Sequence, residues 1–198
     1  MARDRSGRPE AKPTRLFVAV EIPEPARVAV ERAFAPWRAE FPRARWVPRE
    51  NQHVTVKFLG RTWPRLTTWV PERVAVAAAS CTSFTTRLEG VGAFPSARRG
   101  RVLWVGLDDA EGRMASVALA LDAALAAEFA PETRAFTPHL TVARSDPPVA
   151  LPDAFAATDL DPVAWRVDHV TLFRSHLQRP APRYEALQTF PLGTVPAP

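Results

Sequence analysis

Apolar positions recur along this chain with two spacings, one typical of strands and one typical of helices. Runs of four to ten residues that are rich in Val, Ile, Leu, Phe or Thr and alternate with polar positions indicate half-buried strands. Strands are therefore predicted at residues 14–21, 54–59, 84–88, 102–105, 140–143, 164–173 and 183–187.

Helical spacing occurs in three longer stretches, at residues 26–40, 66–79 and 111–129. In the last of these, apolar residues three and four apart form one continuous face: Met114, Val117, Ala118, Leu121 and Leu125. A further short segment is predicted at 151–157. The order strand, helix, strand thus occurs twice, which predicts a repeated architecture.

The ends of the chain differ in composition from the middle. Residues 1–13 are polar, basic and contain proline, so a disordered tail is expected there; a single domain should cover 14–192, with a short C-terminal tail at 193–198. With 198 residues and 46% hydrophobic content, the chain is long enough for one compact core. No apolar run approaches the length of a membrane span or a signal peptide, which predicts a cytoplasmic protein without a membrane partner.

The net charge of +5 suits a partner rich in phosphate. Only two of the 26 basic residues are lysines, Lys12 and Lys57, so the excess of arginine is equally explained by genomic base composition. A single cysteine, Cys81, excludes an intrachain disulfide and a zinc site built on several thiolates. None of the usual metal-ligand spacings is present, and the sequence predicts neither a metal nor a cofactor.

One tetrapeptide pattern occurs twice, as His53-Val54-Thr55-Val56 and as His139-Leu140-Thr141-Val142. Because side chains alternate along a strand, each His and its Thr share one face while the apolar residues face the core. A third stretch, His169-Val170-Thr171-Leu172, has the same alternation. Periodicity alone therefore cannot decide which two copies form a site.

Two such copies facing each other suit metal-free hydrolysis or transfer at phosphorus. An imidazole on each side supplies a base and an acid near neutral pH, and the hydroxyl groups of Thr55 and Thr141 can donate hydrogen bonds to anionic phosphate oxygens. The two copies are chemically alike, so their spacing does not assign the base and the acid.

The residues around the first two copies closely resemble the two signatures of the 2H phosphoesterase superfamily, in its branch of RNA 2',3'-cyclic phosphodiesterases, long called 2'-5' RNA ligases. The resemblance covers about residues 14–192 and includes, besides both motifs, the stretches Arg15–Val20, Leu88–Pro95, Arg101–Val105, Pro182–Glu185 and Phe190–Leu192. It implies an α+β fold in which two pseudo-symmetric lobes of mainly antiparallel sheet, with helices outside, face each other across a central cleft. His169 falls outside both signatures.

The resemblance also implies roles for individual residues. His139 is expected to be the base that activates water and His53 the acid for the leaving 3'-oxygen, which gives a 2'-phosphate end; Thr55 and Thr141 bind the phosphate. Arg144 matches the position that contacts the terminal nucleotide. Phe58 either frames the cleft or belongs to the core. Tyr184 matches a family position, and both substrate contact and packing between the lobes remain open for it.

The expected substrate is an RNA with a 2',3'-cyclic phosphate end or a small cyclic nucleotide, bound by a monomer. The loop Arg98–Arg101 either follows RNA or is a solvated hairpin tip. Three alternatives stay open: a non-catalytic module that binds RNA ends, an enzyme that joins RNA through a 2'-5' bond, and a phosphodiesterase for another small cyclic phosphate. A pure binding module has no need of two proton-transfer groups, and no nucleotide-activating lysine motif or P-loop supports ligation.

Overall fold

The structure, a computed structural model, describes residues 12–194. Its strands are β1 (Thr14–Glu21), β2 (Arg45–Trp46), β3 (His53–Thr62), β4 (Phe84–Phe94), β5 (Gly100–Leu107), β6 (His139–Val149), β7 (Ala164–Val167), β8 (His169–His176) and β9 (Arg183–Pro191). Its α-helices are α1 (Glu24–Glu40), α2 (Trp69–Ala79), α3 (Arg113–Leu125) and α4 (Asp153–Ala156).

The strands form one antiparallel sheet in the order β7-β4-β5-β6-β3-β1-β8-β9, with β2 paired to β6. The sheet consists of two similar halves, β3-β1-β8-β9 and β6-β5-β4-β7. They meet where β3 pairs with β6, through Val54 opposite Leu140. Each half takes its inner strand from a strand–helix–strand unit, β1-α1-β3 in one and β5-α3-β6 in the other. The predicted α+β fold with a repeated architecture is confirmed.

Helices cover the face of the sheet that carries the apolar residues of β3 and β6. Helix α3 contacts β3, α2 contacts α3, β8 and β9, and α4 contacts β4. Phe155 of α4 lies against Phe34 and Trp37 of α1, with ring centroids 5.9 and 5.0 Å apart. Val54 and Leu140 are fully buried in this core, so the junction between the two halves is shielded from solvent on that face.

The predicted strand 164–173 is wrong as a single element. The structure divides it at Asp168 into β7, which pairs with β4, and β8, which pairs with β1 and β9. Val167 and Val170 are both buried, and their spacing of three residues interrupts the two-residue alternation. The chain therefore passes from one half of the sheet to the other at Asp168.

The predicted helix 111–129 is shorter at both ends. Helix α3 begins only at Arg113, because Gly112 has a φ of 65° and the Asp109 carboxylate accepts the amides of Met114 and Ala115. A carboxylate in that place caps the free N–H groups and is favoured by the helix dipole. The predicted helix 66–79 begins at Trp69 and is preceded by a 3₁₀ turn, Pro64–Leu66.

The predicted N-terminal tail lies mostly outside the described residues, as does the last part of the predicted C-terminal tail. Backbone pairing continues one residue past the predicted boundary at 192, because Gly193 forms a bridge with Thr82 and its amide donates to the Cys81 carbonyl over 2.6 Å. Among residues 12–194, no helix combines the length and the apolar character that crossing a membrane requires.

A buried ion pair connects β3 to α3 in the core. The Lys57 ammonium contacts the Asp122 carboxylate, and their side chains are only 7% and 16% exposed. Lys57 also donates to the Ala130 carbonyl over 3.0 Å, and the second carboxylate oxygen of Asp122 accepts the Glu132 amide over 2.9 Å. The pair thus ties the first motif strand to the loop that leads into the second.

Candidate active site

Both motif strands carry a β-bulge at the same place. In β3, Thr55 pairs with Ala19 but Lys57 pairs with Val18, so Val56 has no partner of its own. In β6, Thr141 pairs with Trp104 and the next pair joins Ala143 to Leu103, so one residue is again skipped. The two copies therefore share their backbone irregularity as well as their residues.

The bulges decide which side chains share a face with the histidines. An extra residue reverses the alternation beyond it. Lys57 and Ala143 consequently turn into the core, where they are 7% and 0% exposed. Phe58 and Arg144 instead turn to the side of the sheet that carries His53, Thr55, His139 and Thr141, which we call the motif face.

Phe58 is 54% exposed, and the Arg15 guanidinium lies over its ring, 5.0 Å from the centroid. The alternative in which Phe58 belongs to the core is therefore wrong. Arg144 is exposed as well. These two residues occupy equivalent positions in the two motifs.

The structure brings the two motifs together at one point. Val54 and Leu140 are directly opposite in an antiparallel pair. Continued by one residue to each side, that register places His53 beside Thr141 and Thr55 beside His139. Two histidines and two hydroxyl groups are thus brought to the same part of the motif face.

A backbone hydrogen bond fixes the ring of each histidine. His53 Nδ1 lies 2.7 Å from the Asn51 carbonyl oxygen, and His139 Nδ1 lies 2.7 Å from that of Thr137. A carbonyl can only accept, so Nδ1 carries the proton and Nε2 keeps its lone pair in the neutral ring. Both histidines consequently present Nε2 for proton transfer.

His53 Nε2 lies 3.1 Å from Thr55 Oγ1. In the neutral ring it accepts that hydroxyl proton. When the ring is protonated, the hydroxyl is released to donate to another acceptor. The bond therefore couples the protonation of His53 to the orientation of Thr55.

Both imidazoles lie in surroundings that disfavour their charged form. Burial lowers the pKa of His53 to about 4, opposed by its hydrogen bond to the Asn51 carbonyl and assisted by the charges of Arg144 and Arg27. Burial also lowers the pKa of His139, with Arg144 contributing in the same direction. The positive charge of Arg144 therefore acts on both histidines.

Aromatic rings enclose His53. Its ring centroid lies 4.8 Å from that of Phe17, 5.2 Å from that of Tyr184 and 6.4 Å from that of Phe173, which stacks on Phe17. Tyr184 meets the imidazole edge to face, so it packs within one half of the sheet. Burial raises the pKa of its hydroxyl.

The ring of His139 meets Phe94 edge to face at 5.0 Å. Trp104, opposite Thr141 in the register, shares the motif face and lies 5.2 Å from Phe94. Its ring occupies the space above Gly92, where an added Cβ would come within 2.4 Å of it. Gly92 is therefore required for this aromatic surface.

Sequence reasoning missed several residues that support the site. Asn51 is buried, fixes His53 through its carbonyl, and donates its amide to the Pro182 carbonyl over 2.6 Å. Arg27 contributes charge near His53. The carbonyl that fixes His53 belongs to the backbone, so the residue type at position 51 gave no signal of this role. No local pattern indicates Arg27, because it comes from α1.

The third copy of the pattern is arranged differently. His169 Nδ1 lies 2.6 Å from the Asp168 carboxylate, and its Nε2 lies 3.6 Å from that of Glu21. Thr171 is fully buried and donates to Glu21 over 2.9 Å. Its hydroxyl is thus occupied and shielded, whereas Thr55 and Thr141 are both partly exposed.

Among residues 12–194, no group of three or more His, Cys, Asp or Glu side chains is arranged to hold a metal ion. The groups that the motif face offers for chemistry are imidazoles, hydroxyls and guanidinium groups. Together they can transfer two protons and stabilise an anion.

Residues 23–179 match the family model of the 2'-5' RNA ligase superfamily. A relative from Geobacillus stearothermophilus, named RNA 2',3'-cyclic phosphodiesterase, is 28% identical over 188 residues, which are 93% of this chain and 59% of that protein. This chain thus spans less than two thirds of that relative. A protein of the same name from Aeropyrum pernix is 31% identical over 146 residues, covering 71% of this chain and 82% of its own.

Two solved structures are similar to this chain over about nine-tenths of its length. The protein TT0787 of Thermus thermophilus superposes with a TM-score of 0.77 at 28% identity, covering 91% of this chain and 98% of its own. Escherichia coli LigT complexed with 3'-AMP superposes with a TM-score of 0.64 at 25% identity, with 91% and 98% coverage.

Proposed function

Because this chain belongs to the 2'-5' RNA ligase superfamily, we propose that it hydrolyses 2',3'-cyclic phosphate ends of RNA to 2'-phosphomonoesters. The observation that carries the proposal is the meeting of two His-x-Thr strands at Val54 and Leu140, with Nε2 of both histidines free of backbone bonds. The names of the curated relatives support the same substrate class.

The reaction needs groups on opposite sides of phosphorus. Water attacks in line with the P–O3' bond, a neutral imidazole takes its proton, and a protonated imidazole supplies a proton to the departing 3'-oxygen. One P–O bond forms as the other breaks, and the 2'-phosphate remains. Thr55 and Thr141 donate hydrogen bonds to the non-bridging oxygens, where negative charge grows in the transition state.

We assign His139 as the base and His53 as the acid, following the family resemblance. The pKa of about 4 for His53 leaves its ring neutral in the free protein at pH 7. The negative charge of a bound cyclic phosphate raises this pKa, since an opposite charge nearby favours the protonated ring. Substrate binding therefore favours the protonated ring of His53, which can then act as the acid.

The remaining site residues position the substrate. Arg144 acts electrostatically on both histidines and is proposed to bind the terminal nucleotide, through its phosphate or by stacking on the base. Phe58 is proposed to frame the same part of the motif face from the other strand, because the two side chains occupy equivalent positions. A second copy of the chain is not needed to complete the site, so we propose a monomer acting in the cytoplasm.

The direct test is hydrolysis of an RNA that ends in a 2',3'-cyclic phosphate, carried out in excess chelator. Two histidines and two threonines need no metal ion, so the rate should be the same with and without chelator, and the product should end in a 2'-phosphate. Chelator-sensitive activity that added divalent ion restores would contradict the metal-free mechanism. A 3'-phosphate product would contradict the assigned direction of cleavage, and tight binding without turnover would favour a binding module.

The pH dependence should be bell-shaped, with a maximum of kcat/KM below pH 6.5. Both histidines have a lowered pKa in the free protein, so the singly protonated form that the reaction needs is most abundant on the acid side of 6.5 and declines as pH rises. The maximum of kcat should lie at higher pH, because bound phosphate raises both pKa values. Initial rates on a cyclic mononucleotide between pH 4 and 9 measure both profiles; coincident maxima would contradict this coupling to the substrate.

A further inference from the structure

A basic cavity of about 760 Å³ lies at the far end of the half that carries His53. Lys12, Arg15, Arg61, Arg174 and His176 contribute to its lining. We call it the outer cavity. None of these side chains takes part in the proton transfers described above.

Strand pairing brings two cations of the outer cavity, Arg15 and Arg61, to one face of the sheet, whereas Arg174 pairs with the buried Leu16 and lies on the other face. Arg15 at the start of β1 is directly opposite Arg61 near the end of β3, and on its other side it pairs with Ser175 of β8. Directly paired residues share a face of the sheet, so the two arginine side chains extend from the same face. Like charges in that arrangement repel each other unless an anion lies between them.

The positive charge of the outer cavity is poorly compensated. Within residues 12–194, neither Arg15 nor Arg61 forms an ion pair. Arg174 Nε is buried and has no hydrogen-bond partner in that part of the chain. Within the described residues, Glu185 is the carboxylate that pairs with these cations; it lies 3.8 Å from Arg174 and 2.6 Å from His176 Nε2. A single shared carboxylate leaves an excess of positive charge that a polyanion can neutralise.

The outer cavity is continuous with the motif face through Phe58. The Arg15 guanidinium lies on the Phe58 ring, and Phe58 follows Thr55 on the same side of β3. At about 3.3 Å per residue, Arg61 lies at most about 20 Å from Thr55 along the strand. A chain that places its cyclic end at the two histidines can therefore extend over Phe58 to the outer cavity.

We propose that the outer cavity binds backbone phosphates of the nucleotides that precede the cyclic end, so that the chain prefers oligonucleotides to cyclic mononucleotides. The inference rests on the proposed function, because the cyclic end fixes which part of the RNA reaches the cavity. Guanidinium groups suit this ligand, since their planar donors pair with two phosphate oxygens at once. Binding in the outer cavity also places the RNA on one half of the sheet, whereas the Arg98–Arg101 loop belongs to the other half.

The first test measures the Kd of a 5'-fluorescein-labelled ten-nucleotide RNA with a 3'-hydroxyl end, which the proposed reaction cannot consume. Arg15→Gln and Arg61→Gln should each weaken binding about three- to tenfold and flatten the dependence of log Kd on log salt by about one unit. Arg113→Gln, which changes an exposed arginine at the start of α3, is the matched control and should leave Kd unchanged. Arg61 is exposed, so its substitution should not disturb folding.

The second test compares kcat/KM for the same RNA carrying a 2',3'-cyclic phosphate with kcat/KM for a cyclic mononucleotide. The ratio should fall about three- to tenfold in either variant. If the Kd and the ratio stay at the wild-type value in both, the inference is wrong. If Arg98→Gln or Arg99→Gln weakens RNA binding instead, the RNA crosses the other half of the sheet, which also overturns it. Weakened RNA binding in a protein that hydrolyses neither substrate would refute the proposed function and leave the cavity assignment supported.

Discussion

Replacing either His53 or His139 with alanine is expected to lower the turnover of a 2',3'-cyclic phosphodiester by at least about 10², because each removes one of the two proton-transfer groups. The two losses should not add in the double variant, since base and acid act in the same transition state. Single-turnover rates on a cyclic mononucleotide measure the effect without interference from RNA binding.

The matched control is His169→Ala, which removes the histidine of the third copy. His169 is engaged by Asp168 and Glu21, and its neighbour Thr171 is buried, so the rate should stay within a few fold of the wild type. A large loss in this variant, together with a small loss in His53→Ala or His139→Ala, would show that the wrong pair of histidines has been assigned.

Lys57→Met is expected to lower the free energy of unfolding by about 3–5 kcal/mol, because it leaves the Asp122 carboxylate buried without its partner. Such a loss is a large part of the stability of a domain of this size. Urea unfolding followed by circular dichroism measures it, with unchanged m values as the check that the unfolded state is comparable.

The double variant Lys57→Met with Asp122→Asn separates a missing charge from a missing contact. An amide oxygen at position 122 can still accept the Glu132 amide, and no uncompensated charge remains, so part of the loss should be recovered. A loss below about 1 kcal/mol in Lys57→Met would mean that the carboxylate finds water or another partner, and the pair would then be no stronger than a surface ion pair.

The repeated strand–helix–strand order and the two motif strands could be predicted from the sequence, because both depend on local periodicity. Strand β1 has the predicted bounds, Thr14–Glu21. The division at Asp168 could not be predicted, since a continuous apolar run does not reveal that its two parts pair with different halves of the sheet.

Local alternation also failed to predict which residues of β3 and β6 lie on the motif face. Strict alternation would place Lys57 and Ala143 on the motif face, and only the bulges at Val56 and Val142 exchange them for Phe58 and Arg144. Bulges depend on pairing with a distant strand, so they leave no mark in a local pattern. The resemblance to a family indicated Arg144 where alternation would have excluded it.

The residues that surround the two histidines could not be predicted from the sequence for a related reason. Phe17, Phe94 and Asn51 look like ordinary strand and turn residues, and each acquires its role from the partner that the fold brings to it. The Asn51 carbonyl holds His53 in one tautomer, and burial lowers the pKa of both imidazoles. The histidines and threonines proposed to perform the chemistry could therefore be identified in the sequence, whereas the groups that surround them could not.

A cyclic substrate in which sulfur replaces the 3'-oxygen tests the division of labour between the two histidines most directly. A thiolate leaves without a proton, so loss of the acid should hardly matter while loss of the base should matter as before. We predict that His53→Ala recovers to within about tenfold of the wild-type rate on this substrate, whereas His139→Ala stays slow by about 10² or more. Recovery of His139→Ala instead would reverse the two roles, and recovery of neither variant would contradict an acid–base pair at this site.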